Sequence, residues 1–151
     1  MGGVLLLLNR LPEAERALES AVEADPNSAG AHHNLGVALS RLKRDSEAIQ
    51  HWQQAARIDG NNVDTFQNLG TAMLNTGDAA GAIKNLERAR SLDPNNAATL
   101  MHLSVAYGLK GDRALAVQLT QKAAQLARTA HQTGIEQECL RLLNQESVQR
   151  P

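Results

Sequence analysis

The side chains of this chain with the widest chemical use are five histidines and one cysteine. Both residue types bind metal ions, and both act in nucleophilic catalysis when a suitable partner lies beside them. His32 and His33 are adjacent, so on a helix they point about 100° apart and cannot share a metal ion. His51, His102 and His131 are far apart in the sequence and belong to no recognisable ligand cluster. We therefore predict no metal site and no cofactor.

The single cysteine could act as a nucleophile with His131 as its base. However, Cys139 shares one face of a predicted helix with Ile135, Leu142 and Leu143. A cysteine on such a face is usually a small buried hydrophobe. The chain also has no glycine-rich phosphate loop and no serine-centred elbow. These features predict no catalytic residue and a protein that is not an enzyme.

Two asparagines are better candidates for binding. Asn34 and Asn68 share the same local sequence, since each is followed by Leu-Gly. A side-chain amide both donates and accepts, so it can pair with the N–H and C=O groups of an extended peptide of any sequence. The alternative is that the two amides only bond neighbouring helices. Trp52 lies on an apolar helical face, and we expect it to be buried in the core.

A sequence pattern with a 34-residue period predicts the helices that position these candidate residues. Turns of the type Asp-Pro-Asn or Asp-Gly-Asn begin at Asp25, Asp59 and Asp93. Such a period is typical of solenoids, whose repeats bury their apolar faces against one another. Within each repeat, apolar residues recur at i, i+3, i+4 and i+7, first in one half and then in the other, which predicts two helices. Aspartate-proline ends the second helix, and Ser28 and Asn62 are predicted N-caps of the next one.

The pattern resembles the tetratricopeptide repeat (TPR) family, including bacterial TPR proteins and the TPR region of protein O-GlcNAc transferases. In the third repeat the matching residues are Phe66, Leu69, Gly70, Met73, Gly77, Ala82, Leu86, Ala89 and Pro94. A departure is Lys43, which replaces the glycine between the two helices of the second repeat. The resemblance implies an all-α fold, a right-handed superhelical solenoid of antiparallel helix pairs with a C-terminal capping helix.

Repeat spacing predicts a single domain over 1–151. It consists of a partial first repeat (1–28), three full repeats (29–62, 63–96 and 97–130), and a capping helix with a tail (131–151). We expect Gly134 to end the preceding helix. We also expect the stretch before Asn9 to be only the end of a first helix.

In TPR arrays the first helices of the repeats line a concave surface that holds a bound chain, and the resemblance therefore implies a peptide-binding groove here. The predicted groove residues are His33, Asn34, Val37, Arg41, Asp64, Gln67, Asn68, Thr71, Asn75, Met101, His102 and Val105.

Composition limits the partners. The formal net charge is −1, and no basic run is longer than Lys43-Arg44, which argues against nucleic acid. No apolar run is long enough to insert into a membrane, and a single cysteine makes no internal disulfide, so we expect a cytoplasmic protein. The predicted function is a non-catalytic module that binds a protein or peptide. The alternatives are the substrate-recruiting or regulatory TPR portion of a larger enzyme, such as a glycosyltransferase, and a scaffold that forms homo-oligomers through its incomplete first repeat.

Overall fold

The polar turns of the sequence begin the helices that follow them. The side chains of Ser28, Asn62 and Asn96 each accept a hydrogen bond from the backbone N–H three residues further on, and Asp78 and Asp112 do the same. Each satisfies one of the N–H groups that the first turn of a helix leaves without a partner. The N-caps predicted from the sequence are therefore confirmed.

The computed structural model describes residues 1–148, and their side chains as far as residue 145. Over these residues the secondary structure consists of nine α-helices and no strand, which confirms the all-α fold class. The chain divides into two compact units, Met1–Gly77 and Asp78–Pro151. The helices of the first unit are α1 (Gly2–Leu7), α2 (Leu11–Ala24), α3 (Ala29–Arg41), α4 (Asp45–Ile58) and α5 (Val63–Asn75). Those of the second unit are α6 (Ala79–Leu92), α7 (Ala97–Leu109), α8 (Arg113–Thr129) and α9 (Thr133–Val148).

The turn between the two helices of a repeat is left-handed in each of the four repeats. At this turn the residues with positive φ are Asn9 (55°), Lys43 (65°), Gly77 (85°) and Gly111 (91°), and all four occupy the same place of their repeats. Glycine adopts this conformation freely, whereas for other residues it costs about 1–2 kcal/mol of conformational free energy. Lys43 therefore has the same backbone conformation as Gly77 and Gly111, although a lysine is strained in it.

The prediction that Gly134 ends α8 is wrong. α8 ends at Thr129, and Gly134 lies inside the first turn of α9. The left-handed residue is instead His131, with φ 55°. Its N–H donates to the carbonyl of Arg128 at 3.2 Å, so the last turn of α8 is closed without a glycine.

In the first unit the core lies between successive helices. α3 packs against α2 and α4, and α4 packs against α5. Trp52 is only 3% exposed and belongs to the same core cluster as Leu35 and Leu69, which confirms its predicted core position. Its indole Nε1 donates to the carbonyl oxygen of His33 at 3.1 Å, so the one polar atom of the ring is satisfied.

In the second unit α7 packs against α6 and α8, while α9 lies along α8 and reaches α7. Leu103 and Cys139 are both 0% exposed, and Ile135 and Leu142 on the same face of α9 are half-buried. α9 thus covers the apolar face of α8, which is the place that a terminal helix takes in a solenoid.

Candidate binding site

The first helices of two successive repeats stand side by side in the first unit, and they carry nine of the twelve predicted groove residues. His33, Asn34, Val37 and Arg41 lie on α3, and Asp64, Gln67, Asn68, Thr71 and Asn75 lie on α5. A hydrogen bond of 2.8 Å between His33 Nδ1 and Thr65 Oγ1 joins the two helices. The N-caps Ser28 and Asn62 begin both helices at the same place of the repeat, and their equivalent residues therefore face the same way.

Between α3 and α5 lies an open hollow of about 320 Å³. We call it the α3–α5 hollow, and its lining residues are Val37, Ser40, Arg41, Trp52 and Asn68. Helix α4 supplies only the indole of Trp52, which forms part of its apolar wall together with Val37. Hydroxyl, guanidinium and amide groups supply the rest, so the hollow offers hydrogen-bonding groups beside a small apolar surface.

Asn34 and Asn68 are half-buried, and neither side-chain amide is hydrogen-bonded to another group among the described residues, whose side chains extend to residue 145. They therefore do not hold the neighbouring helices together, as the alternative interpretation of the sequence required. Asn68 lines the α3–α5 hollow directly. Asn34 lies on the side of α3 that approaches α1, where its Nδ2 is 3.8 Å from the position that a Cβ on Gly3 would occupy.

Two of the predicted groove residues hold the first unit together. Arg41 Nη1 donates to the carbonyl oxygen of Leu6 at 2.9 Å, which ties α3 to the end of α1. Asn75 Nδ2 donates to Asp45 Oδ2 at 3.1 Å, and Ser40 Oγ donates to the other oxygen of the same carboxylate at 2.7 Å. Asp45, at the start of α4, thus joins α3 to α5. No sequence signal indicates the bonds of Arg41 and Asn75, because both link residues of different repeats.

The remaining groove residues of α5 differ in exposure. Asp64 and Asn75 are exposed, whereas Gln67 and Thr71 are half-buried. Thr71 Oγ1 donates to the carbonyl oxygen of Gln67 at 2.9 Å, within the helix. Burial lowers the pKa of His33, and the nearby carboxylate of Asp64 opposes that shift in part. The ring next to Thr65 is therefore neutral near pH 7.

The other three predicted residues, Met101, His102 and Val105, lie on α7 in the second unit and are half-buried. Burial lowers the pKa of His102. Val105 borders a second hollow, of about 180 Å³, which we call the α7–α9 hollow. Its lining residues are Ser104, Val105, Gly108, Leu109, Ala116, Thr120, Leu142 and Gln145.

Sequence reasoning missed a contact between His32 and His51. Their Nδ1 atoms lie 3.1 Å apart, and His32 Nε2 lies 3.1 Å from the carbonyl oxygen of Pro26. A carbonyl only accepts, so His32 Nε2 carries a proton. In the neutral pair, His32 Nδ1 then accepts from the Nδ1–H of His51. The contact joins α3 to α4, and it satisfies the buried ring of His32.

Cys139 is fully buried, as predicted, and burial raises the pKa of its thiol, with a further contribution from Glu138. A thiol held in its protonated form is a poor nucleophile. Among the side chains of residues 1–145, no three from histidine, cysteine, aspartate or glutamate come together as a metal-binding group. No helix of this part of the chain is long and apolar enough to cross a membrane.

The protein consists of helix pairs that recur at a constant period. Each pair contains a left-handed turn, and polar N-caps lie between the pairs, so the protein is of the helical-repeat class. The sequence pattern of the tetratricopeptide repeat family matches residues 4–63 and 68–131. The chain therefore belongs to the tetratricopeptide repeat family, as its resemblance implied. No relative among curated proteins matches it.

Solved structures with the same fold include two of the protein MamA. One is 25% identical, with a TM-score of 0.78 over 87% of this chain and 72% of MamA. The other is 21% identical, with a TM-score of 0.78 over 95% of this chain and 91% of MamA. YrrB, described as a TPR protein with an unusual peptide-binding site, is 23% identical, with a TM-score of 0.77 over 83% of this chain and 64% of YrrB. At such identities the likeness establishes the shared fold.

Proposed function

We propose that this chain is a non-catalytic protein–protein interaction module, and that its first unit binds an extended segment of a partner protein beside Asn34 and Asn68. The observation on which the proposal depends is that both side-chain amides lack a hydrogen-bonding partner. Both occupy the same place of successive repeats, are half-buried, and have no hydrogen-bonding partner in the described residues. A half-buried amide without a partner gains more from a ligand's hydrogen bond than one already engaged.

An extended peptide suits these groups chemically. Its backbone presents an N–H and a C=O at each residue, and the amide of asparagine can accept from the first and donate to the second. In the α3–α5 hollow, Val37 and Trp52 add apolar surface next to Asn68. Family membership and the peptide-binding site named for YrrB support a peptide as the ligand.

Hydrogen bonds within the protein reduce the number of predicted groove residues that are available to a ligand. Because Arg41 is bonded to Leu6 and Asn75 to Asp45, a ligand gains little from them unless those bonds break first. We therefore assign recognition in this unit to Asn34, Asn68 and Val37, with His33 and Thr65 setting the spacing of α3 and α5. The second unit carries a separate set of proposed binding residues on α7, which are Met101, His102 and Val105.

The test compares Asn34→Ala and Asn68→Ala with Asn27→Ala, an exposed asparagine in the turn before α3. A peptide selected against the wild-type chain from a displayed library serves as the probe, and calorimetry measures its affinity. Loss of one hydrogen bond predicts an affinity about 2- to 12-fold lower for each groove variant. Helical melting and the affinity of Asn27→Ala stay at wild-type values.

A second binding experiment uses the same peptide with N-methyl groups along its backbone. Methylation removes the N–H donors and leaves the side chains in place, so wild-type affinity falls while the Asn68→Ala chain loses less. Equal binding of the peptide by all three variants and the wild type would reject the role of the amides.

A second candidate function, self-association, is favoured by one observation on α1. Val4 is 60% exposed, whereas the residues at the same place of the next three repeats, Ala38, Ala72 and Ala106, are at most 2% exposed. Leu7 and Leu8 beside it are also exposed. Light scattering at two concentrations tests this: self-association that Val4→Glu abolishes supports it, and a monomer at the higher concentration rejects it.

A further inference from the structure

The contact between His32 and His51 lies where another repeat of this chain has two apolar residues. Two repeats further along the chain, the equivalent residues are Leu100 on α7 and Leu119 on α8, and both are buried. Leucine therefore suits both places, and packing alone does not require a histidine at either. The second repeat instead brings two imidazole rings together between α3 and α4, with ring centroids 5.3 Å apart.

The distance between the two rings matches that between two ligands of one metal ion. Their Nδ1 atoms are 3.1 Å apart. Nitrogen ligands bind ions such as Zn²⁺ at about 2.0–2.1 Å, so two of them at bond angles of about 90–109° lie about 2.9–3.4 Å apart. A hydrogen bond has the same length, and the argument therefore depends also on how each ring is held.

The ring of His32 is held in the form that a metal ligand needs. Its Nε2 donates to the carbonyl oxygen of Pro26 at 3.1 Å, so its Nδ1 presents a lone pair. Histidines that bind metal ions are typically oriented by such a bond from the second ring nitrogen to a carbonyl or a carboxylate. His32 is also only 7% exposed, and its ring is therefore fixed in place before an ion arrives.

The ring of His51 is free to supply the second lone pair. It is half-buried, and its Nε2 has no hydrogen-bonding partner among the described residues. The proton on its Nδ1 can therefore move to Nε2 through solvent. This exchange frees the second Nδ1 for an ion and releases no proton from the pair. The exposed side of the ring gives the ion a path from solvent.

We propose that His32 and His51 form a binding site for one divalent transition-metal ion such as Zn²⁺, held by both Nδ1 atoms. Imidazole suits Zn²⁺, Cu²⁺ and Ni²⁺, whereas Mg²⁺ and Ca²⁺ prefer oxygen ligands. Water completes the coordination, because the side chains of residues 1–145 supply no third ligand of a metal-binding group. Glu47 lies one turn before His51, but both of its oxygens are bonded to Arg44.

The site goes beyond the proposed function, since it lies between the two helices of one repeat and needs no peptide. The ion joins α3 to α4 only when the repeat is folded, and it should therefore stabilise the first unit. Sequence spacing gives no sign of the site, because its two residues are 19 positions apart and belong to different helices.

Calorimetry with Zn²⁺ tests the proposal on the full chain, free of tags and stripped of metal, at about pH 7. We expect one Zn²⁺ to bind per chain, and Mg²⁺ at the same concentration to give no binding heat. His51→Asn removes one ligand and keeps a donor for His32 Nδ1. Its affinity for Zn²⁺ should be about tenfold or more lower, since loss of even an outer-shell partner costs about 10- to 100-fold.

His131→Asn is the matched control, because it removes an exposed histidine that has no second ring beside it. It should bind Zn²⁺ with wild-type affinity. His32→Asn should behave like His51→Asn, and the result for His51→Asn decides alone if His32→Asn does not fold. Equal affinity of the wild type and His51→Asn overturns the proposal, as does a wild-type chain that is not saturated at about 1 mM Zn²⁺.

The ¹⁵N signals of the imidazole nitrogens locate the bound ion. Zn²⁺ should shift the Nδ1 signals of His32 and His51 together and leave the ring signals of His33 and His131 unchanged. A shift at only one ring, or at His51 Nε2 in place of Nδ1, overturns the proposal. Asn68→Ala should bind Zn²⁺ like the wild type whatever its affinity for peptide, so the metal site and the peptide site are tested separately.

Discussion

The indole of Trp52 occupies the space that a side chain on Gly36 would need. An ideal Cβ on Gly36 would lie 2.7 Å from both Cε2 and Nε1 of the ring. The ring cannot withdraw easily, because its Nε1 donates to the carbonyl oxygen of His33 and its faces are buried in the core. The distance between α3 and α4 is therefore set by a glycine on one helix and a rigid ring on the other.

Replacing this glycine with alanine should destabilise the first unit. The added methyl group overlaps a buried ring that is held by its Nε1 hydrogen bond. We therefore expect Gly36→Ala to lower the free energy of unfolding by about 1–3 kcal/mol in urea titrations. Gly30→Ala is the matched control on the same helix, because a Cβ there meets nothing within 4 Å. It should stabilise by about 0.5–1 kcal/mol, as alanine does in a helix. Equal effects of the two substitutions would contradict this account of the contact.

A substitution at the left-handed turn of Lys43 should instead stabilise the protein. Lys43 has φ 65°, which a glycine adopts without strain, so Lys43→Gly should raise the free energy of unfolding by about 0.5–1 kcal/mol. Gly111→Ala, at the equivalent turn of the fourth repeat, should lower it by about 1 kcal/mol or more, although a Cβ there has open space around it. Thermal melts of both variants measure the change.

Lys43→Ala separates backbone strain from charge, since Lys43 precedes Arg44. Alanine removes the ammonium group and keeps the strained φ, so it should give none of the gain. A gain as large as that of glycine would mean that the effect comes from the charge.

The features that can be predicted from the sequence depend on residues close together in the chain. Ser28 and Asn62 are recognisable as N-caps because the group they cap lies three residues away, and the repeat period then places Lys43 at a left-handed turn. The predicted end of α8 is wrong because a glycine is the usual stop signal, whereas here His131 adopts the positive φ and Gly134 does not.

The candidate site is predictable only in part. Periodicity places Asn34 and Asn68 on equivalent faces of their helices, but it carries no information on which groove residues are already engaged. Arg41 is bonded to Leu6 and Asn75 to Asp45 through contacts that depend on the distances between helices.

Three half-buried histidines make the free energy of unfolding depend on pH. Burial lowers the pKa values of His33, His51 and His102, and for His51 the neighbouring His32 lowers the pKa further while Glu47 opposes the shift. In the unfolded chain a histidine titrates near a pKa of about 6.5. Below that pH the unfolded state binds more protons than the folded state, so the free energy of unfolding falls as the pH falls. The stability that these groups contribute is fully present above about pH 6.5 and is lost as the pH falls through the lowered folded-state values.

His51→Asn tests this linkage at one residue. Asparagine keeps a donor for His32 Nδ1 and cannot titrate, so its melting temperature should fall less steeply than that of the wild type between about pH 7.5 and pH 5, a range that keeps most carboxylates ionised. His131→Asn is the matched control, because it removes an exposed ring at a positive φ that asparagine tolerates. Melting temperatures that fall in parallel for the wild type and His51→Asn would show that His51 does not couple protonation to folding. A shallower slope for His51→Asn than for His131→Asn assigns the coupling to His51.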